Sequence, residues 1–317
     1  MTNAGAPRYL SRDELDALEI TTNDAVASIE HLIRSRAEGR MWNAPKSALL
    51  LPDSRFLMST LAVADDPPFT AMKSLALNPR NPERGEPLMN SAVILLDSET
   101  GRPLALIDGN WVTAIRTAAL SAVAAKRLAR ADSAVAAFVG CGVQARSHLR
   151  AFADLFPLSE IRMLGRGRPN LDALSRAGEE MGLSTTECKS AREAVEGADL
   201  VVSSVAFSPG VEPFIDARWL AQGAFAAITD LALPWVSDGM AAFDRIVIDD
   251  LEQESTMPQP MVRPEWVAGD ITGLVNGDVD GRQSKSETAA FVFRGLALGD
   301  LALAGLAYQR SLGDSDD

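Results

Sequence analysis

The stretch Ala134-Val-Ala-Ala-Phe-Val-Gly-Cys-Gly-Val-Gln-Ala145 limits what this chain can fold into more than any other. Small and apolar residues run into Gly140 and Gly142, and a helical pattern begins directly after them. That order reads as a buried strand, a glycine turn and a helix. Gly140 suits the tight turn, Gly142 lets the backbone approach a pyrophosphate, and Ala145 is small enough for the helix to pack on the strand. The N–H groups and dipole of the new helix then face the phosphates. Taken alone, a G-x-G-x-x-A string also fits any tight strand-to-helix turn, so its meaning depends on the surrounding chain.

Downstream the pattern alternates. Glu160–Leu164 reads as a strand and Leu171–Met181 as a helix; Ser184–Cys188 and Ala191–Val195 repeat the pair. Leu200–Val205, Ala224–Thr229 and Arg245–Ile248 are further strands. Strand and helix in alternation imply an α/β fold with a parallel sheet and right-handed crossovers. Upstream, Ser11-Arg-Asp-Glu14 has the form of a capping box, and a helix runs from Asn23 to Arg36. Ser47–Leu51, Arg55–Leu61, Thr70–Leu77, Ser91–Leu96 and Pro103–Ile107 read as strands parted by turns, which makes the front section an α+β unit with a mostly antiparallel sheet. Thr113–Arg130 is helical and leads into the Ala134 strand. Thr288–Tyr308 reads as one apolar helix that returns to the front section or builds a subunit interface, and the tail Gly313–Asp317 is expected to fray.

Composition removes several function classes. The net charge of −13 leaves no basic stripe to neutralise nucleic-acid phosphates. Apolar runs such as Ala134–Val139 fall far short of a membrane span, and no charged-then-apolar signal segment opens the chain, so a cytoplasmic location is expected. Cys141 and Cys188 are too few for a disulfide framework or a thiolate metal site. His31 and His148 are isolated, which argues against a histidine metal centre or a Ser-His-Asp triad, and no metal is expected.

The residue that ends the second strand of a dinucleotide fold reads the adenosine ribose. An acid there favours NAD, a basic residue the 2′-phosphate of NADP. Here that strand ends Met163-Leu-Gly-Arg-Gly-Arg168, with no acid in reach. Arg166 or Arg168 can hold a phosphate; each also reads as a solvated loop arginine or a group stacked on adenine. NAD(H) and NADP(H) both stay open.

The chain resembles the ornithine cyclodeaminase/mu-crystallin family over nearly its whole length. The resemblance rests on Met72-Lys-Ser-Leu-Ala-Leu-Asn-Pro-Arg-Asn81, Leu104-Ala-Leu-Ile-Asp-Gly-Asn-Trp-Val-Thr-Ala-Ile-Arg-Thr-Ala-Ala119, Gly140-Cys-Gly-Val-Gln-Ala145 and Gly281-Arg-Gln-Ser284. It implies a Rossmann-type dinucleotide domain, here 129–288, and a discontinuous α+β substrate and dimerisation domain, here 1–128 with 289–317. A homodimer and hydride transfer at the α-carbon of an amino or imino acid are implied with it. By the same resemblance, Lys73 matches the catalytic lysine beside the substrate carboxylate and the reacting nitrogen, and Arg116 the arginine that grips the α-carboxylate. Val143 and Gln144 are expected over the pyrophosphate, and Ser204 and Val205 beside the nicotinamide. A planar guanidinium that fixes a carboxylate and an ammonium that neutralises or protonates nearby suit that chemistry.

Two departures bear on the reaction. Many members carry an arginine in the early strand where this chain reads Ala44-Pro-Lys-Ser-Ala-Leu-Leu50, so the second carboxylate contact is open or falls to Lys46. Cyclodeaminases place an acid in the loop after the Ala224 strand; this chain has Ala232 there and Asp230 two residues earlier. Either the acid is absent or Asp230 supplies it; Asp230 also reads as a strand-end cap. The expected activity is therefore an NAD(P)H-dependent imine reductase or amino-acid dehydrogenase. Its expected substrate is a small α-imino or α-keto acid, with a dicarboxylic one such as iminosuccinate favoured by Lys46 and Arg80. Ornithine cyclodeamination and small-ligand binding of the mu-crystallin kind are the alternatives.

Overall fold

The structure is a computed structural model and describes residues 6–206 and 210–313. Residues 314–317 of the tail expected to fray lie outside the described residues. In chain order the elements begin with β1 (Arg8–Leu10), α1 (Arg12–Ala17), α2 (Thr22–Ala37), β2 (Met41–Asn43), β3 (Ser47–Leu50), β4 (Phe56–Ala64) and β5 (Phe69–Leu77). They continue with β6 (Met89–Asp97), β7 (Pro103–Asp108), α3 (Gly109–Leu128), β8 (Val135–Val139), α4 (Val143–Leu155), β9 (Glu160–Leu164), α5 (Arg168–Glu180) and β10 (Ser184–Glu187). The remainder are α6 (Ala191–Val195), β11 (Leu200–Ser203), β12 (Phe225–Ile228), β13 (Arg245–Ile248), α7 (Leu251–Ser255), β14 (Val267–Asp270), α8 (Ile271–Asn276), β15 (Ala289–Val292) and α9 (Ala297–Gly313).

The chain forms two compact units, residues 1–116 with 296–317, and residues 117–295. In the first unit, Ser11 with Glu14 and Thr21 with Asp24 close capping boxes that start α1 and α2. The sheet runs β1-β7-β6-β5-β4-β2, with β3 also on β4, and only β1 pairs in parallel. Alternation along β5 buries Ala71, Lys73 and Leu75 and exposes Met72, Ser74 and Ala76. Helix α9 covers the buried face. A Cβ on Gly305 would come within 2.8 Å of the Phe69 ring, so the missing side chain lets helix and strand approach.

In the second unit all eight strands are parallel, in the order β10-β9-β8-β11-β12-β15-β13-β14. Strands β11, β12 and β15 are buried along their whole length, as sheets covered on both faces require. Chain order reverses direction between β8 and β11, which is where ligands bind at the carboxyl ends of such sheets.

The expected helix 288–308 is corrected. Ala289-Ala-Phe-Val292 is strand β15 between β12 and β13; the chain turns at Gly295 (φ 96°) and only then enters α9. A short run that is apolar on every side carries no period that separates strand from helix. Segment 289–292 therefore sits in the parallel sheet of the second unit. The block Gly281-Arg-Gln-Ser284 is a staple within that unit. Arg282 donates to the carbonyls of Leu128 at the end of α3 (2.8 Å), Gly223 before β12 (2.9 Å) and Glu287 before β15.

Candidate active site

The glycine turn is built as its residue types demand. Gly140 has φ 93°, and a Cβ there would lie 2.5 Å from the Ser204 carbonyl oxygen. The Ser204 hydroxyl donates to the Gly140 carbonyl (3.1 Å), and the Gly140 N–H to the Leu164 carbonyl (2.8 Å), so the turn is tied to the ends of β11 and β9. Gly142 is the N-cap of α4 and offers no side chain to the helix's first N–H groups; no atom lies within 4 Å of where its Cβ would be. Ala145 is fully buried, Val143 is exposed, and Gln144 lies between. A bare helix start behind an open glycine fits a pyrophosphate.

At the end of β9 the two arginines separate. Arg168 pairs with Asp172 (2.6 Å) and Glu187 (2.7 Å). Arg166 is exposed and makes no hydrogen bond or ion pair among the described residues. Burial pushes the Cys141 thiol up to about 11, so it stays protonated within the turn.

Past the end of β12, Asp230 is buried and accepts from the Ser203 hydroxyl (3.1 Å) and the Val205 N–H (3.0 Å). Trp235 Nε1 donates to the same Ser203 oxygen (2.9 Å). Burial pushes the Asp230 carboxyl up to about 6, against the hydrogen bonds that favour its charged form. Leu231 (φ 61°) and Ala232 (φ 57°) follow in the left-handed region, where the Ala232 N–H also turns to the carboxylate. Two successive non-glycine residues there store strain of about 1–3 kcal/mol each, which the anchored carboxylate helps hold.

The first unit holds a buried ionic cluster. Lys73 (1% exposed) and Arg116 (7%) meet over the buried face of β5. Between them is Asp300 (2%), a residue of the first turn of α9 that sequence reasoning missed. Lys73 Nζ donates to Asp300 Oδ1 (2.7 Å) and Thr113 Oγ1 (3.3 Å). Thr60 donates to Asp300 Oδ2 (3.0 Å), and Arg116 Nε lies 3.1 Å from Oδ1. Burial, then the neighbouring Arg116 charge, lower Lys73 to about 8; Asp300 opposes both, and Lys46 adds a weaker push downward. The Lys73 and Arg116 charges hold Asp300 below the usual carboxylate range despite its burial. Arg116 Nη1 is buried and has no hydrogen-bond partner. Such an orphan is costly and points to an anionic ligand.

The sequence-based candidates thus fall into separate groups. Lys73 and Arg116 come together, with the half-buried Lys46 near enough to act on Lys73. Gly140, Gly142, Val143, Gln144, Ala145 and Ser204 form one turn, Val205 joins Asp230, and Arg166 stands at the end of β9. Arg80 stands apart from these groups. It is exposed in the turn beyond β5, where its N–H bonds Asn78 Oδ1, and the cations that act on Lys73 are Arg116 and Lys46.

The outer face of the first unit's sheet is apolar. Leu57, Leu61, Met72, Ile94 and Leu106 are each 36% exposed or more, and a groove of about 440 Å³ beside Pro45 runs over the last four of them. Among the described residues no helix is long and apolar enough to cross a membrane, and no group of three or more His, Cys, Asp or Glu could hold a metal ion.

Comparison with known proteins adds to this geometry. The profile of the ornithine cyclodeaminase/mu-crystallin family matches residues 10–315. The alanine dehydrogenase of Archaeoglobus fulgidus is 29% identical over 96% of this chain and 94% of its own length. The structure of Thermococcus litoralis Delta(1)-pyrroline-2-carboxylate reductase in complex with NADH and L-proline superposes with a TM-score of 0.89 at 26% identity, covering 97% of this chain and 98% of that one. An archaeal alanine dehydrogenase dimer with bound NAD superposes with a TM-score of 0.85 at 28% identity, over 98% and 97%.

Proposed function

The chain belongs to the ornithine cyclodeaminase/mu-crystallin family, and from that premise we propose that it is an NAD(P)H-dependent imine reductase or amino-acid dehydrogenase. Its substrate is a small α-imino acid, formed from an α-keto acid and ammonia or presented as a cyclic ketimine. The observation that carries this reading is the buried, unpartnered Arg116 Nη1 beside the Lys73 ammonium. No packing requirement calls for an orphaned guanidinium N–H next to a second buried cation; a carboxylate satisfies both. Relatives that act on alanine and on pyrroline-2-carboxylate support a carbon–nitrogen centre next to a carboxylate.

The first unit supplies the carboxylate grip. Arg116 offers its free N–H to one carboxylate oxygen, and Lys73 fixes the other while holding a proton that it can release near pH 8. When bound, the nicotinamide supplies the hydride for the imino carbon. The nitrogen, left with an electron pair as its double bond breaks, takes the proton from Lys73. In the second unit the glycine turn would hold the pyrophosphate on the α4 N–H groups. Asp230, part-protonated near neutrality and fixed by Ser203 and Val205, is the acid of that unit and the second group for proton transfer.

Charge favours a dicarboxylic substrate such as iminosuccinate. Lys73 and Arg116 share one acid, Asp300, and Lys46 adds positive charge close enough to lower Lys73, a setting that suits a second carboxylate and repels ornithine's ammonium. Arg166, unpaired at the end of β9, favours NADP(H) over NAD(H). Two free, buried cysteines suit a reducing compartment, and we read the location as cytoplasmic. A second copy of the chain covers the apolar sheet face, giving a homodimer; sedimentation equilibrium at the monomer mass would refute that.

The test is a screen of NADH and NADPH oxidation against α-keto acids with and without ammonia, cyclic ketimines, and ornithine with NAD(P) in reverse. Ammonia-dependent oxidation, strongest with oxaloacetate and NADPH, is expected. Proline formation from ornithine would replace this reading with a cyclodeaminase, and ligand binding without turnover would replace it with a binder.

A further inference from the structure

The reaction above uses Lys73 and Arg116 and leaves Asp300 without a task, although it is the counterion of both. A buried carboxylate is costly to keep charged, and here two cations and a threonine hydroxyl hold it in place. Its orientation is set from three elements. Thr60 on β4, directly opposite Lys73 in the β4–β5 register, takes Oδ2; this leaves Oδ1 to Lys73 on β5 and to Arg116 on α3. Its position in the first turn of α9 places it where the helix dipole favours an anion.

We infer that Asp300 is the positioning residue of the carboxylate site. It aims the Lys73 ammonium and Arg116 guanidinium, and its single charge leaves this buried trio one negative charge short of neutral, the charge a substrate carboxylate brings. Without Asp300, two cations would lie side by side with no acid, and Lys73 would shed its proton in place of one. With a second acid, the site would be neutral before substrate arrived and the attraction for a carboxylate would be lost. The charged groups that act here are Lys73 from β5, Arg116 from α3 and, more weakly on Lys73, Lys46 from the connection between β2 and β3.

The role rests on the proposed reaction, and its test separates the two. Protein labelled with ¹³C at the lysine ε-carbons, with Lys73→Arg to assign the signal, reports the Lys73 titration without substrate. In Asp300→Asn the Lys73 midpoint is expected to fall by about one pH unit or more, since a charged partner within contact supplies a shift of that order. The alkaline limb of kcat should move with it, and kcat at neutral pH should drop by about tenfold or more. Asp300→Glu keeps the charge but misplaces it, so the midpoint should stay near that of the parent while KM for the carboxylate substrate rises. Thr60→Val, which frees Oδ2 and keeps the charge, gives the same reading if Asp300→Asn does not fold. A midpoint unmoved in Asp300→Asn, or unchanged KM in both Asp300→Glu and Thr60→Val, overturns the assignment. A shifted midpoint in a protein that reduces no imino acid keeps the positioning role and refutes the reaction.

Discussion

The two units each bury polar groups, and they do so in opposite ways. In the first, Lys73, Arg116 and Asp300 form an ionic cluster that keeps excess positive charge and leaves Arg116 Nε and Nη1 without a hydrogen-bond partner. In the second, buried acids pair one to one with arginines, as Asp216 does with Arg218 and Glu287 with Arg245, and the polar groups beside the glycine turn and the end of β12 bond only neutral partners. His148 bonds the Gln144 carbonyl (2.8 Å) and the Ser121 hydroxyl (2.9 Å), while Asp230, Ser203, Val205 and Trp235 bond one another. Burial holds His148 neutral, lowered to about 4. Polar groups whose bonds are all internal fix the course of a backbone: His148 anchors the start of α4, and Asp230 the strained turn at Leu231 and Ala232. A cluster that is left charged and incomplete is shaped for something outside the protein.

The sharpest way to break the comparison is Arg116→Met. The ionic cluster becomes neutral and loses its free N–H, so kcat/KM for the carboxylate substrate should fall by about 10³-fold, as expected for losing a buried charge-assisted pair. Thermal stability should hold or rise, because the mutation removes an uncompensated buried cation. Parallel loss of melting temperature and of dinucleotide binding would show Arg116 to be part of the scaffold instead. Asp230→Asn tests the second unit. If the acid moves a proton, kcat should fall by about 10²-fold and the limb of the pH profile near pH 6 should vanish. A loss below tenfold with the limb intact would confine Asp230 to holding Val205 and the turn.

The smallest effect on turnover is expected from His148→Gln, which keeps hydrogen-bonding groups and should leave kcat/KM at pH 8 near the parent value. Its signature lies in stability. The His148 pKa falls from about 6.5 unfolded to about 4 folded, so its contribution is complete above pH 6.5 and is lost as pH drops towards 4. Across that window the stability difference between parent and variant should change by about 3 kcal/mol, measured by denaturant titration at several pH values. Asp230 works against it. Its raised pKa stabilises the fold at low pH and ceases to do so as pH rises through about 6.

What could be read from the chain follows from distance along it. The glycine turn was legible because all its requirements lie within a few residues: a left-handed Gly140, an uncapped Gly142 and a small Ala145. Lys73 and Arg116 were reached through a resemblance, since a strand lysine and a helix arginine carry no local mark of burial. Asp300 left only a faint signal. An acid in the first turn of a helix is ordinary, and nothing local says that this one faces inward among Leu298, Gly299, Leu301 and Ala302. The difference between Arg166 and Arg168 was hidden as well, because Glu187, which takes Arg168, lies on another strand. Strand β15 escaped because four consecutive apolar residues have no period.

The placement of Asp300 has a consequence for synthesis. Lys73 and Arg116 leave the ribosome early, but their counterion follows only after the entire second unit has been made. Until α9 emerges, the first unit has two cations to bury and no acid to bury them with, and its sheet lacks the helix that covers its inner face. The second unit, whose segment 117–295 is continuous, is free to fold first, and the first unit closes around a salt bridge completed by the late-arriving helix.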